Sequence, residues 1–529
     1  MERELSSREL SGIGCNRLAR FVAFVGFAVL LRAAGLCAQT VPAQKTQDQG
    51  EMSARPTTDQ NPAGEGARAA QDKPTQPEPE FKITPREAED LFHSVDEILE
   101  FDSKETGLAV KHSVKRRLTS RDEVVRYLTD HMKEEDTRRL QRSALVLKKF
   151  GLLPRDFDLE KLLMAMLREQ IAGYYDPKAK TVNLLDWIPA TEQEPVLAHE
   201  LTHALQDQAI GLEKFMKKGE RDLAESKKEP TAADIENDEM NDARQAVVEG
   251  QAEAVMLDYA LKPVGHSLAD SPEIVAAMES EMENGNVDSA VFKSAPLFLR
   301  ESLTFPYNYG LKFEIRMMEA GGRDKAFAAV LANPPHTSRQ IMQPETYLSG
   351  EKLQPMRVVD FARDFRGYER FDVGAIGESD TKVMIEQYAG KEISERLYRD
   401  WRGAYYYAVH AKGNPGGTLG VMYLSRWASP EKAGEFAAVY ARALTQRYKS
   451  ATEVRKVAAT SVEAGGQQPP FTIDVLKGRH EWTTEDGPAV VEAQGDTVLI
   501  TESLDAASVE AIERELFGAT TAAAAGGRN

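Results

Sequence analysis

The sequence predicts an α+β protein in two parts. Residues 83–355 read as a mainly helical region with a small sheet, and residues 356–518 as an α+β region. Three observations predict this. Apolar residues recur at helical spacing through 159–172, 195–207 and 240–261. A short strand–turn–strand pattern occupies 171–185. After Pro344, runs rich in Val, Tyr, Ile and Thr take over, around one clearly started helix.

In chain order, residues 1–38 read as an export signal. Arg17 and Arg20 precede the apolar run Phe21–Leu31, and small residues lead to Ala38, with Ala43 as a second cleavage point. The run is about eleven residues, short of the ~20 a membrane span needs; left uncleaved, it would serve as an anchor. Cys37 follows Leu36 rather than a small residue, which argues against lipidation. Cys15 and Cys37 are the chain's two cysteines, so the exported protein would carry no disulfide, thiol nucleophile or cysteine metal ligand. Export without disulfides suits a bacterial envelope or secreted protein. Residues 39–82 are rich in Gln, Pro, Thr, Ala and charge, and read as a linker. The net charge of −18 argues against nucleic acid or an anionic membrane surface as partner.

Residues 83–170 read as helices, with Ser120 capping one that starts at Arg121 and another running from Leu159 to Ala172. Ile171–Leu185 reads as strand, Asp-Pro turn, strand. The next segment, Ala198-His-Glu-Leu-Thr-His-Ala-Leu-Gln-Asp207, states a chemistry. Histidines four apart on a helix lie about 40° apart around the axis and about 6 Å along it, so His199 and His203 can converge on one metal ion. Glu200 then points beside that metal, where a general base would act on bound water. Val196, Leu197, Leu201, Ala204 and Leu205 give this helix its apolar face, and Pro195 fits its first turn. The competing reading is a chance match.

A catalytic zinc needs a third protein ligand. Met240–Leu261 has Ala243, Ala246, Val247, Gly250, Ala254 and Leu257 at helical spacing, with Glu249 among small residues, Gly250 and Ala252, that admit close helix packing. An apolar setting makes an unpaired carboxylate costly, which favours Glu249 as a ligand. Glu253 lies one turn on, as an acid that would orient a liganding histidine. Alternatively, both acids face solvent.

These motifs resemble the gluzincin metallopeptidases. His-Glu-Leu-Thr-His with Ala-Leu-Gln-Asp is similar to the active-site helix of thermolysin-type enzymes. Val-Glu-Gly-Gln-Ala-Glu-Ala is similar to the segment that supplies the third ligand in aminopeptidase-like members. The resemblance covers residues 171–260 closely and 301–347 more loosely. It implies a zincin-like domain over 83–355, Zn²⁺ as cofactor, a peptide or protein substrate, and an edge strand before the metal helix that pairs with substrate. The Phe305-Pro-Tyr-Asn-Tyr-Gly segment, read as opening a helix that runs to Gly321-Gly322, implies an oxyanion-steadying tyrosine; Tyr307 matches best and Tyr309 is its neighbour. The charged insert Glu213–Glu239 departs from thermolysin.

Beyond 356, Tyr405–His410, Leu419–Leu424, Val490–Ala493 and Asp496–Thr501 read as strands, and Ser429-Pro-Glu starts a helix over 430–448. His410 and His480 are isolated and read as surface or packing residues; 519–529 reads as a loose tail. The reading is an exported zinc peptidase, with a zinc-stabilised pseudoenzyme or scaffold, or a binding protein, as the alternatives.

Overall fold

The structure, a computed structural model, describes residues 81–131, 134–171, 173–218, 223, 226, 228–283, 289–455 and 474–518. The segments read from the sequence as leader (1–38) and tail (519–529), and nearly all of that read as linker (39–82), lie outside them. The described chain is α+β. Its longer helices are α1 (Pro85–Thr106), α2 (Arg121–His131), α3 (Glu134–Lys149), α4 (Leu159–Gln170), α5 (Ala190–Ile210), α6 (Ala232–Leu261), α7 (Pro272–Glu283), α8 (Leu297–Asp324), α9 (Glu378–Ala389), α10 (Pro430–Arg447) and α11 (Ala506–Phe517). No helix among the described residues is long and apolar enough to cross a membrane.

Local sequence accounts for many of the ends. Thr84 and Glu87 form a capping box on α1, Ser120 and Glu123 on α2, and Thr231 and Asp234 on α6. Ser429 caps α10, with Pro430 in its first turn. Three helix starts, those of α5, α6 and α8, lie upstream of where the sequence reading puts them. Helix α5 begins at Ala190, so Pro195 sits in its second turn. The buried Gln193 amide secures this start by bonding the Leu185 N–H, the Leu185 carbonyl and the Ile188 carbonyl. Helix α8 begins at Leu297 and contains Pro306, because Phe298, Leu299 and Leu303 already bury its face. Its regular geometry does break at Gly321-Gly322, as the sequence suggests. The last eight residues of the charged insert, 232–239, belong to α6.

A small sheet has the order β1 (Lys115–Thr119), β3 (Thr181–Leu185), β2 (Tyr174–Asp176). The hairpin β2–β3 is antiparallel, and Asp176 closes its turn by accepting the Lys178 and Ala179 N–H groups. β1 joins β3 in parallel, which the charged sequence Lys-Arg-Arg-Leu-Thr does not suggest. β2 is therefore an edge, and its outer side faces α5.

A seven-stranded antiparallel sheet follows, in the order β4 (Tyr368–Ala375), β5 (Trp401–Ala411), β6 (Gly420–Trp427), β10 (Thr497–Glu502), β9 (Gly487–Gln494), β8 (Gly478–Thr484), β7 (Ala451–Arg455). Strand alternation splits its side chains between two cores. Tyr406, Ala408, Tyr423 and Ile500 join α9, α10 and the helices before 355. Tyr405, Tyr407, Met422 and Leu499 face Val509 and Ile512 of α11. One apolar core thus runs across residue 355.

Candidate metal centre

Helices α5 and α6 pack side by side and carry the centre. His199 Nε2 and His203 Nε2 lie 3.1 Å apart, and Glu249 Oε2 lies 3.3 Å from the first and 3.4 Å from the second. A tetrahedral ion with ligand distances of ~2.0–2.1 Å separates its ligand atoms by about 3.3–3.4 Å. The triangle therefore fits a divalent metal, though its spacing does not single out zinc from other first-row ions.

The close approach of α6 to a third helix, α8, sets where Glu249 stands. Gly250 of α6 meets Gly310 of α8 backbone to backbone: a Cβ at Gly250 would come within 2.2 Å of the Gly310 carbonyl carbon. This is the packing role expected for Gly250.

Both histidines are held from their far side. Glu253 Oε2 lies 3.6 Å from His199 Nδ1, in the orienting position. His203 Nδ1 lies 2.9 Å from Gln206 Oε1, which leaves Nε2 to face the other ligands. Gln206 Nε2 in turn donates to the Val248 carbonyl and to Gln251 Oε1, each at 3.0 Å, tying α5 to α6. Burial works against charge on His199 and Glu249, and their mutual attraction overrides it. Glu249, Glu253 and Glu200 push the imidazole up to about 10; His203 and His199 bring the Glu249 carboxyl down to about 2. The centre is built to hold positive charge.

Glu200 points to the side of the triangle, its Oε2 accepting the Tyr175 N–H from the edge of β2 at 2.7 Å. Burial raises its pKa, against the pull of His203 and His199. The Tyr307 ring lies 6.3 Å from that of His199, nearly parallel to it. Tyr309 instead packs on Phe305, at 5.4 Å. His480 bonds Glu453 at 2.8 Å, and His410 packs on Phe371; both lie apart from the centre.

Sequence reasoning missed four residues here. Gln206, three residues beyond His203 on the same helix, could have been found from spacing alone. Tyr175 and Asp207 act through the strand–helix contact, which spacing does not give. Asp102 of α1 is fully buried, and neither carboxylate oxygen has a hydrogen bond. Burial pushes its pKa well up, and the charge of His199 pulls it partly back.

A cavity of about 620 Å³ lies elsewhere, at the N-terminal end of α6 between Ile235, Tyr347, Met356 and Trp401. None of the centre's residues lines it, so it is not the cleft of this metal site. Compared with protein-family models, with curated proteins and with solved structures, the chain matches none.

Proposed function

We propose that this protein is an exported zinc-dependent peptidase. The observation that carries the reading is the near-equilateral His199–His203–Glu249 triangle with Glu200 beside it on the same helix. When bound, zinc supplies Lewis acidity and brings the pKa of a water on its open position to ~7. The rest is the work of this chain's residues. Glu253 and Gln206 fix the two imidazoles. Glu200 has Oε2 anchored on the Tyr175 N–H, which leaves Oε1 to take a proton from water and return it to the leaving amine. The Tyr307 ring lies beside that of His199, and its hydroxyl would donate to the oxyanion of the scissile carbonyl. β2 is an edge strand, and apart from the Tyr175 N–H, which Glu200 takes, its outer side is where an extended peptide or protein substrate would form main-chain bonds. The leader-like segment, Arg17 and Arg20 before the apolar run Phe21–Leu31 and the small residues to Ala38, supports export.

One observation favours a second reading, a pseudoenzyme or scaffold stabilised by metal. His199, Glu200, His203 and Glu249 are only 6, 3, 6 and 3 % exposed. A peptide must reach the metal, and burial to this degree suits a structural ion. Metal analysis and peptide cleavage separate the two. The peptidase reading expects about one zinc per chain in wild type and in Glu200→Gln, with hydrolysis reduced about 10²–10⁴-fold in the variant. Zinc in both and cleavage of a broad peptide set by neither would put the scaffold reading first.

A further inference from the structure

Asp207 follows His203 by four residues and Glu200 by seven, so it shares their side of α5. It is buried, and it takes three donors. The Leu212 N–H reaches Oδ1 at 2.9 Å; the Tyr175 hydroxyl reaches Oδ2 at 2.9 Å, where Lys180 Nζ also binds. Tyr175 is the same residue whose backbone N–H holds Glu200. One residue of β2 is thus fastened to α5 at two points, two turns apart: its main chain on the general base, its side chain on Asp207. Gly173 eases this approach, since a Cβ there would stand 3.2 Å from Val196 Cγ1, tight enough that the valine side chain would have to give way.

Lys180 is the unusual member. It lies on the surface at the end of the β2–β3 turn, with φ at +55°. That left-handed conformation strains any side chain with a Cβ and is the natural place for Gly or Asn. Neither of those could reach Asp207. The strained backbone and the buried carboxylate it serves point to one function.

We infer that Lys180, Asp207 and Tyr175 form a clamp that positions Glu200. The lysine fixes the Asp207 carboxylate, Asp207 fixes the Tyr175 ring, and the Tyr175 main chain then presents its N–H to Glu200 Oε2. The side-chain bonds of the three run to one another and to the Leu212 N–H rather than to the metal ligands, and their link to the centre is the Tyr175 N–H on Glu200. The effect on turnover rests on the peptidase reading; the clamp itself rests on the hydrogen-bond geometry alone.

The test compares full-length wild type with Lys180→Gly and Lys180→Arg. Five quantities are read: zinc content, melting temperature, hydrogen exchange of the Tyr175 amide, and kcat and KM on a peptide that wild type cleaves. Lys180→Gly relieves the backbone, so it should keep its zinc and melt no lower. Its Tyr175 amide should exchange about tenfold faster, and its kcat should fall about tenfold with KM within about twofold, because a small displacement of a catalytic group is costly. Lys180→Arg should restore both. A lysine that merely fills a turn predicts unchanged exchange and unchanged kcat in Lys180→Gly, and that result overturns the clamp. If wild type cleaves no peptide, the peptidase reading fails while the exchange measurement still decides: faster exchange upholds the clamp and unchanged exchange removes it.

Discussion

His199 has Glu249 near Nε2 and Glu253 near Nδ1, and the charge of Glu200, the next residue in the chain, also acts on it. Without a cation these hold a proton on the imidazole to about pH 10. A metal ion needs the neutral ring, so it must displace that proton. Binding at pH 7 should therefore release about one proton, and affinity should rise about tenfold per pH unit below the imidazole's pKa. Titration calorimetry in two buffers of different ionisation enthalpy reads the proton directly; equal heats in both would remove the linkage. The same titration ranks the acids. Glu249→Ala should abolish tight binding, whereas Glu253→Ala should weaken it about 10–100-fold, as loss of an orienting partner does.

Between elements, the α6–α8 crossing has least tolerance. Gly310 is as tightly placed as Gly250, for a Cβ on it would come within 2.2 Å of the Ala246 carbonyl oxygen. Backbone cannot yield as a side chain does, so Gly250→Ala or Gly310→Ala should cost at least the ~1–3 kcal/mol of an overpacked core. Because Glu249 precedes Gly250, the substitution should also weaken metal binding; denaturant unfolding and metal titration of one variant check both. Gly250 was legible in the sequence because small residues flank a buried acid at helical spacing. The two metal helices were legible for a related reason, since ligands four apart and an apolar face both follow from helix period. Helix starts were less so: Gln193 anchors α5 through β3, and no local cap marks that contact. β1, β4, β7 and β8 escaped notice because charged residues interrupt their alternation, as in Lys115–Thr119 and Gly478–Thr484. Asp102 was invisible for want of any local signal; only the packing of α1 against α5 brings it near His199.

Across the whole molecule, the region before 355 meets the region after it through buried acids. Glu239 of α6 accepts the Ser338 N–H at 2.8 Å and the Ser338 hydroxyl at 2.6 Å. That hydroxyl also accepts the Glu378 N–H at 2.9 Å. Arg339 bonds Glu378 at 3.0 Å and Glu351 at 2.9 Å, and Asp380 accepts the Gly377 N–H at 3.0 Å. Burial is the main cause that raises Glu239, Glu378 and Asp380 to about 7 each, even though Arg339 pulls Glu378 down. In the unfolded chain these groups ionise near pH 4. A carboxyl raised on folding contributes stability that is whole below its unfolded value and is lost as pH climbs through its folded one. Stability should therefore fall from pH 5 to pH 8, by about 2 kcal/mol or more if the three groups act even partly independently. Bound metal would mask this, because its affinity changes with pH in the opposite sense. Urea unfolding at pH 5, 6.5 and 8 should accordingly be run with a chelator present. Glu239→Gln keeps an acceptor for Ser338 and removes one ionisation, so it should flatten the slope and gain stability at pH 8 over wild type. A slope unchanged in Glu239→Gln would mean that the ionisations weakening the fold lie outside this junction.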